Sequence, residues 1–435
     1  MPAVCDISTL ATGRRAIGLG RFCALAILYL EGIFVLMALT QGELVFPLLG
    51  AVLIAAQVPL ALKSARITLH VVWVYRLLAF SLVFVVVMGF GWSIDIAARI
   101  LFALLLFFLS GMVLIAASRA ASIAQTFGKV AETRVLEYCL FANLPSHRRR
   151  LQDALPPRYR KGLPWFVAAA ILVVLGIVLS NITDRGLVIF FVIPAVFLVQ
   201  RGRRHMAPRA SEAKRADDRP PTLILRSFQD DRIAMERFSL VPKRTFEQVV
   251  ATTLKTMGPP LIVGDPGEKL ARLGAFREYF VNNDWQTAVA RLIDEVALLV
   301  FILGDTENLL WEFRQAIGKC RTADILIIVP PLDQHILRSR WRRFAEGIAG
   351  SINNRFPSEF PDDAILGLFF LEDDPVFIVG RKRGITDFRL GIRLFLSLQS
   401  AKITSLEGLR GFVKDHLPVY IKTVGGGEHV SISNN

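Results

Sequence analysis

A carboxylate that does chemistry needs a rigid element behind it and an opening in front of it, and Glu312 is placed for both. It lies in ALLVFILGDTENLLWEFRQAI, residues 297–317. Leu298–Leu303 is a continuous apolar run of the kind found in a parallel strand buried on both faces. Gly304-Asp305-Thr306 breaks the run, and Asp305, Thr306 or Asn308 caps the helix that follows. Leu309, Leu310, Phe313, Ala316 and Ile317 share one face of that helix. Trp311 points almost away from this face, and Glu312 stands at its edge in the first helical turn. Ligands of open α/β sheets bind beyond the carboxyl ends of the strands, so Glu312 is expected to face one. The helix dipole should hold its carboxylate ionised. Such a group suits an oxocarbenium-like centre, as in cleavage of a glycosidic bond. A glutamate at a helix start also serves purely local electrostatics.

Other polar loops should gather at the same sheet edge. Arg226-Ser227 closes the first strand of this half, Gly264-Asp265-Pro266-Gly267 the second, and Asn282-Asn283-Asp284-Trp285 follows the third. Arg226 either meets a ligand phosphate or pairs with Asp230 or Asp231. Gly264, Gly267 and Gly304 let backbone amides approach a ligand. Ser227, Asp265, Asp305 and Thr306 supply polar contacts, with Asp305 fitting a cap better than a base. Trp285 and Trp311 offer indole faces for a base, although Trp311 can instead fill an interface. No GxGxxG follows the first strand, and GxxxxGK[ST], HExxH, GxSxG and kinase signatures are absent. Cys5, Cys23, Cys139 and Cys320 are scattered, with no CxxC pair and no His at ligand spacing, so free thiols and no metal site are expected.

The elements that must hold these residues fall in two halves. Residues 1–218 carry 23 Lys and Arg against 11 Asp and Glu, and residues 219–435 carry 28 against 26. The basic excess therefore travels with the apolar half, which argues against nucleic-acid binding despite the net charge of +14. After a segment at 1–20, apolar runs predict six membrane helices within 21–200, at about 21–40, 44–62, 70–92, 98–118, 164–182 and 187–200. Lys and Arg alternate between the loops, strongest in 119–163, and set both termini in the cytoplasm of a bacterial inner-membrane protein. Glu31 and Arg76 are charges within predicted spans. A polar linker at 201–219 leads to an α/β domain at 220–423, and 424–435 is expected to be disordered. Its strands are predicted at Thr222–Phe228, Leu261–Gly264, Glu278–Val281, Leu298–Leu303, Ile325–Val329, Ile365–Leu371 and Val376–Val379. Helices are predicted near 245–257, 285–297, 308–319, 335–350 and 387–400, the first opened by a Thr245/Gln248 capping box. The alternation implies a mainly parallel sheet.

Leu223-Ile224-Leu225-Arg226-Ser227-Phe228, Val263-Gly264-Asp265-Pro266-Gly267-Glu268, Asp284-Trp285 and Leu310-Trp311-Glu312-Phe313 resemble the TIR-like (Toll/interleukin-1 receptor homology) domains attached to bacterial membrane helices. The likeness covers about residues 220–332. It implies a flavodoxin-type sheet, a nucleotide ligand, and a glutamate, here Glu312, that cleaves the nicotinamide–ribose bond of NAD as substrate. The expectation is thus a six-helix membrane anchor bearing an α/β domain that binds NAD or another nucleotide, in a homo-oligomer on the lipid bilayer, as a signalling or defence effector. A non-catalytic assembly module, self-associating through Trp311, and a transporter using Glu31 are the rival readings.

Overall fold

The computed structural model describes residues 3–19, 159–183, 188–235, 244–264, 274–280, 285–349 and 364–423, apart from 418 and with a few isolated positions besides. The chain divides into two compact units. One contains most of residues 6–145 with 407–421; its described part includes a helix over 8–19. The other, chiefly Ser146–Leu406, holds every residue discussed below.

The strands of this unit are β1 (Ala3–Asp6), β2 (Thr222–Leu225), β3 (Pro260–Val263), β4 (Phe276–Glu278), β5 (Leu298–Ile302), β6 (Ile325–Ile328), β7 (Ile365–Leu371) and β8 (Asp374–Val379). Its helices are α1 (Tyr159–Thr183), α2 (Val188–His205), α3 (Ala210–Ala216), α4 (Phe246–Leu254), α5 (Trp285–Glu295), α6 (Glu307–Lys319), α7 (Gln334–Ile348) and α8 (Ile385–Ser400).

Short all-apolar strands pair only where both faces are covered, and β2, β5 and β6 are buried at every residue. The sheet runs β4-β3-β2-β5-β6-β7-β8, with β1 beyond β8. From β4 to β6 all pairings are parallel, with Leu223 of β2 opposite Leu261 of β3 and Leu299 of β5. One face packs on α5, α6 and α7 through Leu225, Phe301, Phe313, Phe344 and Trp341. On α4 and α8, Phe246 meets Phe388 edge to face at 4.8 Å.

The sheet is mainly parallel, as expected, with an antiparallel edge; the flavodoxin-type strand order and the polytopic anchor need correction. The sheet is mixed, because β7 lies antiparallel to both β6 and β8. Glu372 and Asp373, at φ 50° and 65°, make the two-residue turn between β7 and β8. Beside β6, Gly367 is required, since a Cβ there would stand 2.5 Å from the carbonyl oxygen of Ile327. The order of the parallel strands is also not flavodoxin-type. Counted from β2 along the chain it is 3-2-1-4-5, where a flavodoxin-type sheet is 2-1-3-4-5. The chain moves outward from β2 to β4 and returns to β5, so the order reverses between β2 and β5.

The six-helix polytopic membrane domain is overturned as well. Among the described residues one helix is long and apolar enough to cross a membrane, over Lys161–Leu179 in α1. The predicted spans at 21–40, 44–62, 70–92 and 98–118, with Glu31 and Arg76, lie outside the described residues, as do most of 119–163 and the tail at 424–435. The predicted span at 187–200 is helical, but α2 runs on through Arg201, Arg203 and Arg204, too polar to complete a crossing. The linker at 201–219 is therefore largely helix, shared by α2 and α3.

α1 and α2 pack together closely. A Cβ at Gly176 would lie 2.8 Å from Cβ of Phe191, and one at Gly162 would lie 2.9 Å from the carbonyl oxygen of Gly202. Away from this seam α1 presents Leu163, Val167, Ile171, Val174 and Ile182 to its surroundings. Near the basic end of the pair, Trp165 stacks on His205 and lies 4.5 Å beneath the Arg201 guanidinium.

Candidate functional site

Where a doubly wound sheet reverses its strand order, the loops on either side diverge and leave a crevice beyond the strand ends. A cleft of about 360 Å³ lies at this place, within the range of roughly 300–1,000 Å³ usual for ligand pockets. Arg226, Ser227, Phe228 and Gln229 come to it from the end of β2, Val263 and Gly264 from β3, and Phe280 from beyond β4. Trp285 opens α5 there, and Thr306, Asn308, Leu309 and Glu312 complete the lining from α6 and its cap. Six of the sequence-predicted residues thus meet at one opening: Arg226, Ser227, Gly264, Trp285, Thr306 and Glu312.

Glu312 is 7% exposed. The N-cap of α6 is Thr306, which puts Glu312 in the second turn and not the first. The dipole fades within one turn, so it does not hold this carboxylate ionised. Burial pushes the Glu312 carboxyl up to about 8, against a smaller opposing pull from Arg226. The expectation of an ionised carboxylate is corrected accordingly: below about pH 8 the group is predominantly neutral.

Arg226 pairs with Glu247 on α4, and its charge also reaches Asp230; the side chain of Asp231 lies outside the described residues. Arg226 Nε donates to Glu247 Oε2 at 3.0 Å, and Arg277 of β4 donates to Oε1 of the same carboxylate at 2.7 Å. All three side chains are at most 2% exposed. Strand alternation explains the meeting. Arg226 follows Ile224 on the face toward α4, opposite to Leu225, and Glu247 points back from that helix. Neither Glu247 nor Arg277 was singled out from the sequence. A signal was present, because Glu247 shares a helical stripe with Val250, Ala251 and Leu254, where a lone charge demands a partner. The Glu247 carboxylate thus bridges two guanidinium groups, of which Arg226 lines the cleft.

The rim is tied by α7. Arg340 Nη1 donates to both carboxylate oxygens of Asp230, at 2.8 and 2.9 Å, and Arg343 lies 2.8 Å from Asp305. Burial raises the Asp230 carboxyl while Arg340 opposes that rise. Asp305 is thus an ion-pair residue of the rim and not part of the lining; Thr306 stands at the N-cap position but makes no side-chain capping bond.

The glycines behave differently from expectation. A Cβ at Gly264 would lie 2.5 Å from the Tyr279 ring, and one at Gly304 would lie 2.9 Å from Leu309 Cδ2. Both make room for neighbouring side chains; Gly304 does not line the cleft. Asp265 and Gly267 lie outside the described residues. Trp311 stands behind Trp285, ring edge to face at 5.2 Å and 70°, half-buried in the core. It supports the indole that lines the cleft.

Among the described residues no group of His, Cys, Asp and Glu has the arrangement of a metal site. Comparison of the chain with family models, curated proteins and solved structures returned no match.

Proposed function

We propose that this protein is a membrane-anchored nucleotide-binding protein that hydrolyses an N-glycosidic bond, with NAD the first substrate to try. The observation that carries the reading is the convergence of Arg226, Trp285 and Glu312 on one crevice at the switch point of the sheet. A buried carboxyl with a displaced pKa in a cleft is a characteristic of reaction sites. The Arg226 guanidinium in the cleft lining suits a phosphate. The half-buried face of Trp285 suits a base. In the reaction the bond between ribose C1′ and the nicotinamide nitrogen breaks, and its electron pair neutralises the pyridinium. Water then bonds to C1′ and releases a proton. Glu312, once ionised, stabilises the ribosyl cation between these events. The α1 helix supplies the anchor, and the basic end of α2, with Arg201, Arg203 and Arg204, faces the cytoplasm.

The neutral state of Glu312 near pH 7 favours one rival, a binding module in which the carboxyl donates a hydrogen bond and catalyses nothing. The full chain in detergent micelles, incubated with NAD at pH 7 and pH 8.5, separates the two. The enzyme releases nicotinamide, faster at pH 8.5, and Glu312→Gln abolishes the release. NAD that binds equally well to wild type and Glu312→Gln, with no nicotinamide formed, establishes the module instead.

A further inference from the structure

A second concentration of charge lies away from the cleft, where α4 meets α8. Nine of the sixteen residues of α8 are buried; between them Arg389, Arg393 and Ser397, at successive steps of four, form a half-exposed stripe. Phe388, next to Arg389, packs edge to face on Phe246. Phe246 is the first residue of α4, so the exposed Arg244 just before its N-cap is carried to the same corner. Arg389 makes no hydrogen bond or ion pair among the described residues. Its cationic form is disfavoured by burial first, then by Arg244 and Arg393. Arginine does not relieve such a conflict by giving up its proton. A half-buried cation facing two others is relieved by an incoming anion.

We infer that Arg244, Arg389 and Arg393, brought together by the contact of Phe246 with Phe388, form an anion site for a phosphate group. Guanidinium forks match phosphate oxygens in pairs, which lysines do not. The same chemistry is offered by a free phosphate and by a phospholipid headgroup, and the chain's apolar helix makes the second source as accessible as the first.

The test uses the full chain in a non-ionic detergent at low ionic strength, with thermal unfolding as the readout. One arm titrates inorganic phosphate against chloride at matched ionic strength, and the other adds phosphatidylglycerol to the micelles. Phosphate or the lipid raises the Tm of wild type beyond chloride, and the arm that responds identifies the source. Arg389→Gln raises the Tm without ligand, because it removes the repulsion, and weakens the response about tenfold. Arg244→Gln, at an exposed position, weakens it without disturbing the fold. A wild-type response equal to that of chloride in both arms overturns the site. So does an undiminished response in both variants.

Discussion

In the proposed reaction, Glu312 ties stability and chemistry to a single proton. An acid whose folded pKa is raised from 4.5 to about 8 is indifferent to pH below 4.5, where both states are protonated. Between these values the unfolded chain ionises and the folded one does not, so wild type loses stability as pH rises and the loss levels off above about 8. Glu312→Gln does not titrate. Urea unfolding is therefore expected to show equal stabilities for the two proteins near pH 4, and an advantage for Glu312→Gln on the order of 4 kcal/mol at pH 9. Curves that stay parallel across this range would show that the carboxyl is not held neutral. The proposed hydrolysis needs the ionised form, so its rate is expected to climb about tenfold per pH unit below 8 and then flatten. A residue that costs stability at the pH where it works is a common arrangement at active sites.

At the scale of elements, the cleft depends on three segments held apart and in register. The turn after β2 carries Asp230, the loop after β5 carries Asp305, and α7 joins both through Arg340 and Arg343. Arg340→Met strands a carboxylate that is only 5% exposed. The expected cost is about 3 kcal/mol in urea unfolding, with NAD binding weakened because the cleft wall moves. In Arg340→Met/Asp230→Asn most of the stability returns; no recovery would mean that Arg340 acts through packing alone.

Much of this layer was legible in the sequence. The parallel strands other than β4, which meets its predicted run only at Glu278, and α4 to α8 fall close to their predicted places, because period-3.6 stripes and unbroken apolar runs reflect burial directly. The Thr245–Gln248 box also forms as expected. The antiparallel turn was legible but unread, since the four residues from 372 to 375 between the predicted strands leave no room for a crossover. Strand order was not legible, because nothing local records whether β4 lies outside β3 or beyond β5. Nor were the pairings of Arg226 and Arg340. Their partners are 21 and 110 residues away, and only the fold brings them together.

For the molecule as a whole, the apolar surface of α1 must be covered. Leu163, Ile171 and Val174 are 57%, 61% and 59% exposed, on a helix whose 19-residue apolar stretch is mostly unburied. A helix apolar all round and so little buried against its own chain fits the proposed anchor, which a bilayer would cover. About 19 residues at 1.5 Å each also match an apolar thickness of roughly 30 Å. In the proposed anchor, the Trp165–Arg201 contact would put an indole and a guanidinium at the headgroup level. Ile171→Arg/Val174→Arg puts two charges at mid-helix, each costing about 2.5–3.5 kcal/mol on insertion. Both side chains are more than half exposed, so the hairpin itself is expected to survive. In vesicle flotation, wild type is expected in the lipid fraction and the double variant in the lower, lipid-free fractions, with NAD binding unchanged in detergent. Equal flotation of both proteins would transfer the anchoring role to another part of the chain and leave α1 to be covered by protein. The cleft and the anchor are then separable, and each variant set reads one without the other.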